Sequence, residues 1–290
     1  MNGIIADFYR RGFNLGLTGI GRDGESIDIV TATEKPRIFV RAGTILATAT
    51  ELLGLCDITK EIAGVTDHNT PLGKIVLVRA LSDGFVQIGG PSMIAQMPEL
   101  IGRMCELGAD KVIVDGAVGR KSLAGPGITE AAVLCTGASF HADPETVVGE
   151  TAHVVRMMGL PKMENEEAAA KPEAGTFTNK INIVDNGTIY LQGAVSDNTI
   201  EELLRSDVRL AGTSIVVEDP GKVFVGPAVY EKLLRQKAVM KVLRTINLVA
   251  VTVNPVSAYG GRFDGDEFLR RMRNAVSVPV FDMKERPCSA

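Results

Sequence analysis

Lys111-Val-Ile-Val114, closed by Asp115-Gly116, is an apolar run too short for a helix and of the kind found in strands buried on both faces of a parallel sheet. Before it, Ser92 to Leu107 carries helical apolar spacing and stops at Gly108, so helix and strand alternate here. A second run of the same kind, Leu248-Val-Ala-Val-Thr-Val-Asn254, also ends in a polar residue. Both point to an α/β fold with a mostly parallel sheet flanked by helices.

Working outward, residues 2–11 predict a helix ending near Gly12, and Asn14 to Thr18 a strand that runs into the turn Gly19-Ile-Gly-Arg-Asp-Gly24. A parallel α/β domain more often opens with a strand, so an N-terminal strand and a phosphate-binding loop are expected to be missing ahead of this helix. Arg37 to Val40 reads as a strand and Thr44 to Leu55 as a helix. Gly73 to Arg79 and Gly84 to Ile88, joined through Ser82-Asp83-Gly84, predict an antiparallel hairpin inserted near 73–90.

Thr129 to Val133 suggests a short helix or strand, and Thr146 to Met158 a helix. From Pro161 to Gly175 the apolar content falls, which predicts an exposed connection over 161–176 between an N-terminal part, 1–160, and a C-terminal part, 177–290, that completes the same sheet. In the C-terminal part, strands flank Asp185-Asn-Gly187, and a helix from Thr199 is capped by Asp197 or Asn198. Strands at Ser214 to Val217 and Val223 to Val225, helices at Pro227 to Gln236 and Phe268 to Ala275, and an edge strand at Val278 to Phe281 complete the reading. No internal repeat is visible.

The chain has 290 residues, 45% of them hydrophobic and 23% charged, enough to bury a large core. A net charge of -4 with scattered lysines and arginines argues against nucleic acid or an anionic membrane as partner. No apolar run approaches membrane-spanning length and no export signal opens the chain, so the expected location is the cytoplasm. Four separated cysteines and three separated histidines give no zinc or disulfide spacing. Asp67-His68-Asn69 and His141 are read as loop residues.

In open parallel sheets ligands bind outside the carboxyl ends of the strands. Three such ends carry polar residues: Thr18 to Glu25, Asp115 to Ser122, and Asn254 to Tyr259. Asp115 at a strand rim is suited to hold a magnesium ion, with Asp23 as a second carboxylate, although an Asp-Gly turn explains Asp115 equally well. Arg120, Lys121 and Ser122 supply two cations and a hydroxyl for phosphate, or else form a basic surface loop. Asn254, followed by Pro255, offers a donor and an acceptor to a base edge, or simply ends the strand. No G-x-x-x-x-G-K-[ST] motif occurs, so ATP hydrolysis by the chain alone is not expected.

Leu17-Thr-Gly-Ile-Gly-Arg-Asp-Gly-Glu25, Val114-Asp-Gly-Ala-Val-Gly-Arg-Lys-Ser122 and Val251-Thr-Val-Asn-Pro-Val-Ser257 together resemble the small subunit of the lysine 5,6-aminomutase reactivase family. Lys35 to Phe39, Gly43 to Ala47 and Val225-Gly-Pro227 fit the same likeness, which spans nearly the whole chain. More distantly, a strand with an acidic rim residue followed later by Asn-Pro is similar to the dethiobiotin-synthetase-like group of P-loop proteins. That likeness implies a P-loop NTPase-like fold with magnesium at Asp115 and the adenine base at Asn254; the strand-end reading adds Asp23 as a second magnesium candidate and Thr18, Arg120, Lys121, Ser122 and Pro255 as candidates around ATP. The likeness to the reactivase small subunit implies an accessory role beside a larger ATPase subunit, in reactivating a B12-dependent (adenosylcobalamin) aminomutase of lysine fermentation. The alternative is an ATP- or GTP-dependent enzyme acting on a small carboxylate or cofactor precursor.

Overall fold

The computed structural model describes residues 1–20, 37–116, 128–164, 181–184 and 187–282. The chain is α/β and divides into two compact units, Met1–Arg120 with Lys284–Ala290, and Lys121–Met283. Among the described residues no helix is long and apolar enough to cross a membrane.

The first unit runs α1 (Asn2–Arg10), β1 (Leu15–Gly19), β2 (Ile38–Val40), β3 (Ile45–Ala49), β4 (Lys60–Thr70), β5 (Gly73–Ala80), β6 (Gly84–Val86), α2 (Met97–Glu106) and β7 (Lys111–Asp115). Five strands form one sheet in the order β4-β5-β3-β1-β7. β3, β1 and β7 are parallel, whereas β5 and β4 continue the sheet antiparallel. Strand alternation sorts the core between the two faces. Leu15, Leu17, Leu46, Val76 and Val78 pack with Ile5 of α1 and with Ile38, Val40 and Val86 of the antiparallel β2–β6 pair. On the other face Ile45, Ala47, Ile75 and Leu77 meet Leu100 and Met104 of α2. Gly16 faces α2, where an added Cβ would lie 2.9 Å from Met104 Cε, so this strand centre tolerates no side chain without a shift. Both helices end ahead of a glycine with positive φ, Gly12 at 80° and Gly108 at 100°.

Four expectations are corrected in this unit. Thr44 to Leu55 is the strand β3 followed by a 3-10 turn over Thr50–Leu55, because each face of the β3 segment is buried by a different helix layer. The hairpin lies at 60–80 rather than 73–90: β5 has apolar residues on both faces and is paired on both edges, by β3 and β4. β6 pairs instead with β2. The β4–β5 turn uses Gly73 at φ 89°, where a Cβ would lie 2.1 Å from Thr50 Oγ1. Asp67-His68-Asn69 therefore belongs to the strand β4, not to a loop. Finally, β7 is an edge strand with Val112, Ile113 and Val114 only half-buried.

The second unit runs β8 (Ala132–Gly137), α3 (Pro144–Met158), β9 (Ile181–Val184), β10 (Thr188–Leu191), β11 (Val195–Ser196), α4 (Asp197–Arg205), β12 (Ser214–Val217), β13 (Val223–Phe224), α5 (Pro227–Arg235), β14 (Val239–Val242), β15 (Leu248–Asn254), α6 (Gly265–Ala275) and β16 (Val280–Asp282). A parallel sheet in the order β16-β15-β8 packs Val251, Val253 and Val280 against Val147 and Val155 of α3 and Phe268, Leu269 and Met272 of α6. A four-stranded sheet, β14-β12-β10-β9, packs Ile189, Ile215 and Met240 against Ile200, Leu203, Val229 and Leu233 of α4 and α5, with Met157 of α3 in the same core.

The antiparallel pairing of β9 with β10 and the edge position of β16 are as expected, while Asp185 and Asn186 lie outside the described residues. The cap of α4 is Ser196, in a reciprocal box with Thr199, while Asp197 accepts the Gly226 amide at 2.7 Å. Of the expected connection only 161–164 lie within the described residues; Pro161, Lys162 and Glu164 are exposed, but this start is anchored to the second unit. Lys162 bridges to Val242 in parallel, Met163 is buried, and the Met163 amide donates to the Val242 carbonyl. A strand, a two-residue strand and a nine-residue helix occur twice in succession, as β10-β11-α4 and β12-β13-α5. A short repeat of residues accompanies it, Glu201-Glu-Leu-Leu-Arg205 at the end of α4 and Glu231-Lys-Leu-Leu-Arg235 at the end of α5.

Candidate functional site

Thr18 and Asp115 end adjacent parallel strands. The register pairs Thr18 with Val114 on one side and Ala47 on the other, and Gly19 with Asp115, so both residues stand at the carboxyl edge of the first unit's sheet. Their exposure differs sharply. Asp115 is open to solvent, whereas Thr18 is 0% exposed and its hydroxyl donates to the Ala47 carbonyl at 2.9 Å.

The cover over Thr18 is the segment 88–91. The Ala49 amide donates to the Gly89 carbonyl at 3.0 Å, and the Gly89 amide donates to Thr48 Oγ1 at 3.1 Å. Gly90 sits so close to β1 that a Cβ there would be 1.8 Å from the Gly19 carbonyl oxygen and 2.9 Å from Thr18 Oγ1. Only glycine fits that approach. Sequence reasoning passed over these residues, and Gly89-Gly90-Pro91 was the one signal of a close backbone crossing.

Crowding by protein atoms raises the Asp115 carboxyl above the usual aspartate range, and the amine of Met1, at the start of α1, opposes that shift. A single rim carboxylate can ligate magnesium only with water or phosphate completing the shell. Among the described residues there is no group of three or more histidine, cysteine, aspartate or glutamate side chains placed to hold a metal. Asp23, Arg120, Lys121 and Ser122 lie outside the described residues.

Asn254 does not share that sheet. β15 pairs with β8 and β16, so the expectation that the C-terminal strands complete the sheet of β1 and β7 is corrected by the pairing itself. At this second edge Asn254 is exposed, its Oδ1 accepts the Val256 amide at 3.1 Å, and its backbone carbonyl accepts the Ala138 amide at 2.9 Å. Its acceptor is therefore engaged in a local turn. Pro255 is buried, and its carbonyl accepts the Phe263 amide. Gly137 allows the two strand ends to close up, since a Cβ there would lie 2.2 Å from the Asn254 carbonyl oxygen.

Both helices that open on this second edge carry their own anions. Asp143 caps α3 by accepting the Glu145 and Thr146 amides, and Asp264 caps α6 by accepting the Glu267 amide. Hydrogen bonds from the Thr146 hydroxyl and amide hold the Asp143 carboxyl below the usual range, helped by the charges of His141 and Arg271. A phosphate at these helix ends would meet carboxylates where it needs free amides.

Two of the histidines are hydrogen-bonded to backbone groups and the third lies beside a carboxylate. His141 Nδ1 accepts the Asp143 amide at 3.0 Å, and His153 Nε2 lies 2.7 Å from the Val225 carbonyl. His68 Nε2 is 3.4 Å from Glu99 Oε2, without hydrogen-bond geometry. At the carboxyl ends of β12 and β14, Glu218 pairs with Lys222 and Arg244, and Arg244 also lies 3.7 Å from the buried Asp219, a cluster the sequence did not reveal. No protein-family model, curated protein or solved structure matches the chain.

Proposed function

We propose that the chain is an accessory protein that, with a larger ATPase partner, reactivates an adenosylcobalamin-dependent aminomutase by favouring release of damaged cobalamin. The supporting observation is the position of Thr18 and Asp115 at the carboxyl edge of the adjacent parallel strands β1 and β7, where nucleotide-dependent α/β proteins carry their phosphate and magnesium contacts. The fold implied is P-loop NTPase-like, with Asp115 facing the magnesium of bound ATP. A protein of this kind acts by binding two states of its target unequally and needs no bond-breaking residue of its own. The resemblance in sequence supplies the target, and the strand edge supplies the place where nucleotide would be felt.

The test is reactivation. An aminomutase inactivated during turnover should recover activity with this chain, the ATPase partner, Mg-ATP and fresh adenosylcobalamin together, and not when the chain is omitted. Asp115→Ala should lower that recovery about tenfold or more, consistent with loss of a metal-facing carboxylate whose supporting contacts are worth 10–100-fold in comparable sites. Equal recovery without the chain would overturn the proposal.

A further inference from the structure

We propose that the outer edge of β7 pairs with β7 of a second copy of this chain, antiparallel about Ile113, so that two five-stranded sheets join into one. The inference stands apart from the nucleotide reading, since it draws on the side of the strand and not on a ligand at its end.

Lys111-Val-Ile-Val-Asp115 has the composition of a strand buried between neighbours, yet among the described residues it pairs with β1 alone. Val112, Ile113 and Val114 are accordingly left half-buried. The other edge of the same sheet is guarded. β4 carries Glu61 and Asp67, and it breaks register twice against β5, between Ile62 and Gly64 and between Val65 and Asn69. β7 has neither device. It keeps one unbroken register with β1 from Lys111 to Asp115, holds no proline, and carries charge only at its two ends. A flat apolar edge of this kind is a template for one more strand.

The order of the charges selects the occupant. Two copies related by a two-fold axis present the same patch to each other, and their edge strands meet antiparallel. With Ile113 opposite Ile113, Lys111 of each copy faces Asp115 of the other and Val112 faces Val114, so every charge meets its opposite and every apolar residue an apolar one. Parallel pairing in register would instead set lysine against lysine and aspartate against aspartate. The faces agree as well. Lys111, Ile113 and Asp115 alternate onto the α1 side, where Lys111 Nζ lies 5.9 Å from the Phe13 ring centroid and Ile113 packs with Leu15 and Leu17, while Val112 packs on the α2 side. Within one chain only the Met1 amine offsets the crowding of the Asp115 carboxyl, and Lys111 of the second copy supplies a further cation. The carboxylate has two oxygens, so this contact leaves one for a ligand at the strand end.

The experiment is analytical ultracentrifugation of the full chain from low to high micromolar concentration, with circular dichroism to check folding. The wild type should dimerise. Lys111→Glu sets carboxylates opposite each other at both ends of the pairing and should weaken the dimer about tenfold or more. Combining it with Asp115→Lys reverses both charges and should restore association. Amide exchange in the wild type reads the same edge without a variant, and decides alone if the double variant fails to fold. Between low and high concentration, exchange within Lys111–Asp115 should slow about fivefold or more, the effect of one gained hydrogen bond, while β4 stays unchanged. A wild type that remains monomeric would overturn the proposal, as would a dimer that Lys111→Glu leaves intact or one that protects β4 instead of β7. A folded double variant that stays monomeric would overturn the antiparallel register.

Discussion

Asp115 and Asp143 show how one residue type takes opposite electrostatic roles from its surroundings. Asp115 is crowded at a strand end, so its folded form keeps a proton to higher pH than the unfolded chain does. The folded state then binds more protons in the window just above the unfolded aspartate pKa of about 3.9, and stability falls as pH rises through that window. Asp115→Asn lacks this dependence. Urea unfolding at stepped pH should show the wild type losing stability relative to the variant as pH rises across the window, and parallel curves would refute the assignment. Asp143 has the reverse sign, since its cap is fully charged above the unfolded value and fails as pH falls through the lowered one. The polar type of Asp115 and its place after Val-Ile-Val were legible in the sequence. That Thr18 would be sealed was not, because its cover comes from Gly90, far away along the chain.

Helix ends were read well where local chemistry sets them and less well where a neighbour competes. Gly12 and Gly108 stop α1 and α2 as expected, through left-handed backbone that few other residues adopt. At α4 the cap moved to Ser196, since Asp197 is drawn to the Gly226 amide that opens α5. Ser196→Ala should therefore destabilise the second unit by about 1 kcal/mol in chemical denaturation, with faster amide exchange confined to the first turn of α4. An unchanged midpoint would show that Asp197 carries the cap instead. Strand identity was less legible than helix identity. β3 resembled a helix because apolar residues on both faces of a central strand erase the alternation that marks an exposed one.

The two units have separate cores, one set around Leu17 and Leu46, the other around Ile215 and Leu233. Leu17→Ala and Leu233→Ala should each cost about 2–5 kcal/mol, within the unit that contains it. Together their effects on unfolding free energy should add within about 0.5 kcal/mol, and hydrogen exchange should place each loss in residues 1–116 or 128–282 respectively. Coupling larger than that would merge the cores into one. By itself the sequence determined the α/β class, most of the helices, the buried strands at β1 and β15, and the polar residues that end them, because these follow from periodicity, glycine and charge within a few neighbouring residues. Only the tertiary structure decided which strands pair, that Asp115 and Asn254 end different sheets, and that a glycine strap closes over Thr18. Pairing and close approach are settled by contacts between residues far apart in the chain, and those leave no mark on the local pattern.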